Sequence, residues 1–157
     1  MTKVKKIALV AHDNRKADMV EWVEWNWEKL LNHELICTGT TGRLVNEALL
    51  EKMGDELSAK ISIIRLKSGP LGGDQQLGAL ICEGNVDMLF FLWDPMTAQP
   101  HDVDVKALLR LATLYNIPTA VNRATADFLI SSPLMESNYQ PIIKEYTNYI
   151  NRKIDLK

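Results

Sequence analysis

A doubly wound α/β fold is predicted, with a mainly parallel five-stranded sheet and helices on both faces. Two observations predict it. Short apolar runs alternate with stretches whose apolar residues recur at helical spacing. Strands alternating with helices in this way imply βαβ units, and their right-handed crossovers build a parallel sheet.

Each element has its own signal. Lys5–Ala11 is apolar after its lysines and reads as the first strand. Met19, Trp22, Val23, Trp27, Leu30 and Leu31 recur at helical spacing, so 16–31 is expected as one amphipathic helix. Trp22 is placed on the sheet side of that helix and Trp25 off it. Leu35–Thr38 is the second strand, and Leu44, Val45, Ala48 and Leu49 mark the second helix. Lys60–Lys67 reads as the third strand. Leu77, Leu80 and Ile81 mark a helix that Gly84 closes. Met88–Leu92 is the most hydrophobic run and is expected at the centre of the sheet. Val105, Leu108, Leu109 and Ala112 mark the next helix, Pro118–Val121 leads a fifth strand, and helices are expected over 124–130 and 145–153.

The chain has 157 residues and balances 18 Lys+Arg against 20 Asp+Glu. That length suits one domain spanning 1–157, and the near-neutral charge argues against a dominant nucleic-acid surface. No apolar run approaches the roughly 20 residues that cross a bilayer. The basic start leads into Ile7–Val10, too short for a signal-peptide core. A cytoplasmic protein is expected, with no membrane partner. Cys37 and Cys82 stand far apart with no CxxC spacing and are expected as buried apolar side chains. His33 lies between helix one and strand two and is expected at the surface.

In such folds ligands sit beyond the carboxyl ends of the strands. The first strand is followed by His12-Asp13-Asn14-Arg15-Lys16, where Asp13 or Asn14 is a natural helix cap and His12 with Lys16 suits an anion. After the second comes Thr38-Gly39-Thr40-Thr41-Gly42. Its hydroxyls and helix-start amides favour phosphate, with Thr41 the expected cap. It lacks the GK[ST] ending of a Walker A loop. Ser68-Gly69-Pro70-Leu71-Gly72-Gly73-Asp74-Gln75-Gln76 follows the third strand and sets Asp74 on a tight glycine turn, a candidate general base. The fourth is followed by the long segment Trp93–Asp104, which holds His101 and three carboxylates; Asp102 or Asp104 is expected to cap the next helix. Arg43 either assists an anion or faces solvent.

These four segments, together with PHDVDVKALLRLAT at Pro100–Thr113, resemble methylglyoxal synthase in order and spacing from Lys5 to Tyr149. The resemblance implies a lyase that converts dihydroxyacetone phosphate to methylglyoxal and inorganic phosphate, with no metal and no organic cofactor. It implies a homohexamer inhibited by phosphate. It makes Asp74 the acid/base, His101 the group on the substrate oxygens, and Asp104 the carboxylate beside it. His12, Lys16, Thr38, Gly39, Thr40, Thr41, Ser68 and Gly69 match substrate- and phosphate-binding positions. Asp13 and Arg110 match residues of subunit contact and communication. Where the family can donate a C-terminal arginine to a neighbour's phosphate site, spacing puts Lys153 rather than Arg152 at the matching position, and a lysine does not reproduce a bidentate guanidinium. Three other readings compete. The same resemblance links the fold to the effector-binding part of carbamoyl-phosphate synthetase, which has no need of Asp74, His101 and Asp104 together. A flavin protein would want more aromatics after its strands. A metal hydrolase built on His12, Asp13, His101 and Asp104 lacks helical ligand spacing.

Overall fold

The computed structural model describes residues 1–54 and 60–152. In chain order it comprises β1 (Lys6–Ala11), α1 (Lys16–Trp25), α2 (Trp27–Leu30), β2 (Glu34–Thr38), α3 (Gly39–Met53), β3 (Ile63–Leu66), α4 (Gly73–Cys82), β4 (Met88–Leu92), α5 (Asp102–Leu114), β5 (Thr119–Ala120), α6 (Arg123–Ser131) and α7 (Thr147–Ile150). The five strands form one sheet in the order β3-β2-β1-β4-β5, and every pairing is parallel. The predicted doubly wound architecture is what forms.

Two cores sit on opposite faces of the sheet. Met19, Trp22 and Val23 of α1, Val45, Ala48 and Leu49 of α3, and Ala126 and Ile130 of α6 cover one face through Ile7, Leu9, Leu35 and Phe90. Trp22 lies on Phe90 with ring centroids 5.0 Å apart, and its indole N–H donates to Asp127 Oδ1 at 2.9 Å. Leu77 and Ile81 of α4 with Val105, Leu108 and Ala112 of α5 cover the other through Ala8, Val10, Ile36, Leu89 and Phe91. Alternate strand residues therefore feed alternate cores, as the period of two requires. The chain winds outward through α1 and α3, then crosses beyond β1 to build β4 and β5. That reversal is the topological switch point, and it opens a crevice at the carboxyl ends of β1 and β4.

Several expectations are corrected. The central strand is β1, not Met88–Leu92; β4 is equally buried because α4, α5 and the α1–α6 layer cover both its faces. The first long helix is broken at Asn26, whose side-chain amide donates to the Trp22 carbonyl at 2.8 Å; short polar side chains compete for the backbone in this way. β3 is shorter than Lys60–Lys67: its ladder with β2 runs over Ile63–Leu66, with the Ser62 carbonyl accepting the Leu35 amide at 2.8 Å just before it. Asp13, Asn14, Thr41, Asp102 and Asp104 cap nothing with their side chains; helices α1, α3 and α5 start from Arg15, Thr38 and His101. His33 is buried, 7% exposed, because its Nδ1 accepts the Lys5 amide at 3.2 Å. Cys82 is exposed at the end of α4, while Cys37 is buried with its thiol pushed up to about 12 by desolvation. Arg43 faces solvent and pairs with Glu47 at 2.9 Å, one helical turn on. The helix expected over 145–153 is confined, among the described residues, to Thr147–Ile150, and Lys153 lies outside the described residues.

Candidate active site

One cleft of about 230 Å³ opens at the switch point. His12, Asp13, Lys16, Thr38, Thr40, Thr41, Ser68, Gly69, Asp74 and His101 all line it, so ten of the anticipated site residues converge there. They come from the ends of β1, β2, β3 and β4, as the post-strand positions predict. Pro70 and Gln99 join the rim, and Val10, Ala11 and Phe91 form its apolar floor. Gln99 stands two residues before His101, and nothing in its immediate sequence marks it out.

Asp74 reaches the cleft because of how its own turn is built. Gly69–Leu71 make a single 3-10 turn, Gly72 follows at φ 97° in the left-handed region, and α4 begins at Gly73. A Cβ on Gly73 would run into the Lys67 carbonyl, so this close approach requires glycine. Gln76 Oε1 accepts the Lys67 amide at 2.8 Å and fixes β3 against α4. Asp74 is thereby held 3% exposed in the first turn of α4. Burial pushes its carboxyl above the ordinary range, His101 pulls it back, and the nearby Asp104 charge pushes it up again.

His101 Nε2 lies 3.7 Å from Asp74 Oδ2. A Cβ placed on Gly69 would fall 3.0 Å from that Nε2 and 3.2 Å from Asp74 Oδ2, so Gly69 is the wall against which both groups stand. His12 sits across from them, edge-to-face with His101 at 5.8 Å and with Phe91 at 5.1 Å. Burial is the largest influence on His12 and lowers its basicity, with His101 adding in the same sense. Three buried side-chain atoms, His12 Nε2, Asp74 Oδ2 and His101 Nδ1, have no hydrogen-bond partner among the described residues. Unpaired buried polar atoms are costly, and three around one cleft mark groups kept free for a ligand.

The opposite wall suits an anion. Thr38, Thr40 and Thr41 stand at the start of α3, whose first-turn amides have no partner within the helix. The Gly39 amide is not among the free ones, because it donates to the Lys67 carbonyl at 3.1 Å. Gly39 does not line the cleft; a side chain there would collide with Ser68, so it permits the two loops to touch. Lys16 pairs with Asp13 at the rim, and this bond holds the Asp13 carboxyl below its usual value.

Asp104 and Arg110 are not brought into the cleft. Asp104 is half-buried in the first turn of α5 and acts on Asp74 through its charge. Arg110 is exposed two turns further along α5. Asp94, not anticipated as a site residue, is buried beside His12 and held down at about 2, chiefly by the bond from Asn14 and also by Thr97 and the Met96 amide. Its place in the Trp93–Asp104 segment was the available signal. Among the described residues no group of three His, Cys, Asp or Glu side chains stands ready to hold a metal ion.

A parallel sheet with a carboxylate–imidazole pair and a threonine-lined helix start at its switch point has the layout of α/β proteins whose ligands bind beyond the carboxyl ends of the strands. Residues 18–121 match the family model of the MGS-like domain. Methylglyoxal synthase of Maridesulfovibrio salexigens is 55% identical over 98% of this chain and 100% of its own. That of Oleidesulfovibrio alaskensis is 57% identical over 94% and 95%. The crystal structure of methylglyoxal synthase from Elizabethkingia anophelis superposes with a TM-score of 0.86 at 49% identity, covering 99% of this chain and 95% of that one. The chain belongs to the methylglyoxal synthase family, a family of phosphate-eliminating lyases.

Proposed function

We propose that this single-domain protein converts dihydroxyacetone phosphate to methylglyoxal and inorganic phosphate in the cytoplasm, with no metal or organic cofactor. The observation that carries the reading is the Asp74–His101 pair, 3.7 Å apart, with Asp74 Oδ2 and His101 Nδ1 buried and unpartnered, in one cleft with a threonine-lined helix start.

The chemistry needs a base and an electrophile together. A proton on the hydroxymethyl carbon becomes acidic only when the adjacent carbonyl takes up the electron pair as an enediolate. Asp74 removes that proton, and His101 donates a hydrogen bond to the developing oxyanion. The same logic of carboxylate base and imidazole electrophile operates in triosephosphate isomerase, a worked case in general enzymology. The former carbonyl oxygen then gains a proton while the former hydroxymethyl oxygen loses one. Electrons from the latter expel the phosphate, leaving 2-hydroxypropenal, which tautomerises to methylglyoxal. Expulsion requires the bridging C–O bond to stand perpendicular to the enediolate plane. Lys16, Ser68, Gly69 and the Thr38–Gly42 loop hold the phosphate in that pose. Lys16 reaches it by leaving Asp13. The charge of Asp104 helps to keep Asp74 basic. The chain acts as a homohexamer inhibited by its product phosphate, with Asp13 and Arg110 carrying contacts between subunits.

Incubation of the purified protein with dihydroxyacetone phosphate, with the dicarbonyl trapped and released phosphate measured, tests the reaction. Asp74→Asn abolishes both methylglyoxal formation and solvent-deuterium exchange into the substrate. Exchange that persists in this variant removes Asp74 from the base role.

A further inference from the structure

A second cavity, of about 480 Å³, lies at the amino ends of β1 and β2, at the far end of the sheet from the cleft. Its volume is in the range of roughly 300–1,000 Å³ usual for small-molecule sites. The segment before β1, the loop before β2 and the 3-10 turn Pro133–Glu136 after α6 enclose it. These walls are tied to one another. The buried Lys5 ammonium donates to the Thr2 carbonyl on one side and the Ser137 carbonyl on the other. Lys29 Nζ donates to the Ile130 carbonyl at 3.3 Å, joining α2 to α6.

His33 is the buried polar side chain of this cavity, 7% exposed. Its Nδ1 accepts the Lys5 amide at 3.2 Å. A nitrogen that accepts an N–H carries no proton, so the proton of the neutral ring lies on Nε2. Burial lowers the His33 pKa from 6.5, the Lys5 charge adds in the same sense, and Glu136 and Asp87 oppose them. The ring is therefore a neutral donor at pH 7, and among the described residues nothing accepts from its Nε2. Lys3 and Lys29 stand around it against Glu136 alone, two positive charges to one negative. Ile130, Pro133 and Met135 supply an apolar wall.

We infer that this cavity is a binding site for a small aliphatic carboxylate. The carboxylate end takes the His33 Nε2–H and the Lys29 ammonium, and the hydrocarbon body lies on Ile130, Pro133 and Met135. A buried ring N–H with no acceptor is costly, and a ligand oxygen satisfies it. The excess of one positive charge suits a monoanion, and the apolar wall suits a hydrocarbon body. Such a ligand differs from the phosphate that the cleft suits, so the inference does not rest on the proposed reaction.

Equilibrium dialysis of the intact protein against radiolabelled hexanoate tests this. The expected result is one hexanoate per chain, with a Kd of about 1 mM or tighter. Unlabelled hexanoate displaces the label, and hexylammonium and hexanamide do not. No saturable binding up to about 10 mM, where such a site is nine-tenths filled, overturns the inference. Displacement by hexanamide as readily as by hexanoate overturns the choice of a carboxylate. Lys29 is exposed, so Lys29→Glu folds, and it weakens binding by about 10-fold or more. The amide of asparagine reaches where Nδ1 stands and that of glutamine where Nε2 stands. His33→Asn therefore keeps an acceptor for the Lys5 amide and loses the cavity donor, so it weakens binding more than His33→Gln does. Unchanged affinity in both Lys29→Glu and His33→Asn overturns the site. Lys16→Gln, in the cleft, leaves hexanoate binding as it is. Binding lost in Lys16→Gln and kept in Lys29→Glu puts hexanoate in the cleft and overturns the inference.

Discussion

Asp74 carries two demands that conflict. To act on a carbon acid it must be basic, and burial supplies that by raising its pKa above the ordinary carboxylate value. Only the ionised form abstracts a proton, so kcat/KM falls as pH drops through the raised value. The acid limb of the pH–rate profile therefore lies above the usual carboxylate range. Asp104→Asn removes one charge that pushes Asp74 up, so the acid limb of that variant moves to lower pH; a limb that stays in place removes Asp104 from this part. The neighbouring Gly69 tests geometry instead of charge. In Gly69→Ala the new methyl stands within 3.0–3.3 Å of His101 Nε2 and both Asp74 carboxylate oxygens. Displacement of reacting groups by an ångström costs up to about 100-fold in rate. Gly69→Ala thus loses activity on that scale while its circular dichroism stays that of the wild type.

At the scale of elements, the α4 start shows how the sequence builds a site from backbone constraints. Gly72 supplies the left-handed turn, Gly73 the contact with Lys67, Asp74 the carboxylate and Gln76 the clamp on the Lys67 amide. Gly73→Ala forces β3 and α4 apart. Overpacking of this kind costs about 1–3 kcal/mol, read as a lower urea midpoint, and the displaced Asp74 lowers activity at the same time. Strands β1, β2 and β4 were legible within a residue because both faces are covered and their apolar runs are unbroken. The start of α1 at Lys16 was also legible, but the side chains that cap the helices were not. The cap residues anticipated at Asp13, Thr41 and Asp102 are drawn into other bonds: Asp13 pairs with Lys16, Thr41 Oγ1 donates to the Ala11 carbonyl at 3.5 Å, and Asp102 Oδ2 accepts the Gln99 amide at 3.2 Å. The break at Asn26 depends on one side-chain bond that the apolar spacing around it does not report.

Over the whole molecule, convergence of four post-strand segments was legible because parallel topology alone sends strand ends to one edge. What was not legible is burial without a patterned signal, such as Asp94 beside His12 and His33 at the opposite end of the sheet, where buried Lys5 donates its ammonium to the Thr2 and Ser137 carbonyls. These buried groups, the two histidines and Asp74, give opposite pH dependences. His12 and His33 are both lowered from 6.5, each mainly by burial. The unfolded chain binds their protons first, so their contribution is present above 6.5 and is lost as pH falls through their folded values. Asp74 is raised from 3.8, so its contribution is present below 3.8 and is lost as pH rises through its folded value. At neutral pH the contribution of the two histidines is therefore fully present and that of Asp74 is lost. Denaturant midpoints at about pH 7.5 and about pH 5.5 read both effects. The wild type is less stable at the lower pH; His33→Gln narrows that difference by removing one titrating ring. Asp74→Asn is more stable than the wild type at the higher pH, and its advantage shrinks as the wild-type carboxyl takes up its proton. An Asp74→Asn variant no more stable than wild type at the higher pH would show that ionised Asp74 is not destabilising in its cleft.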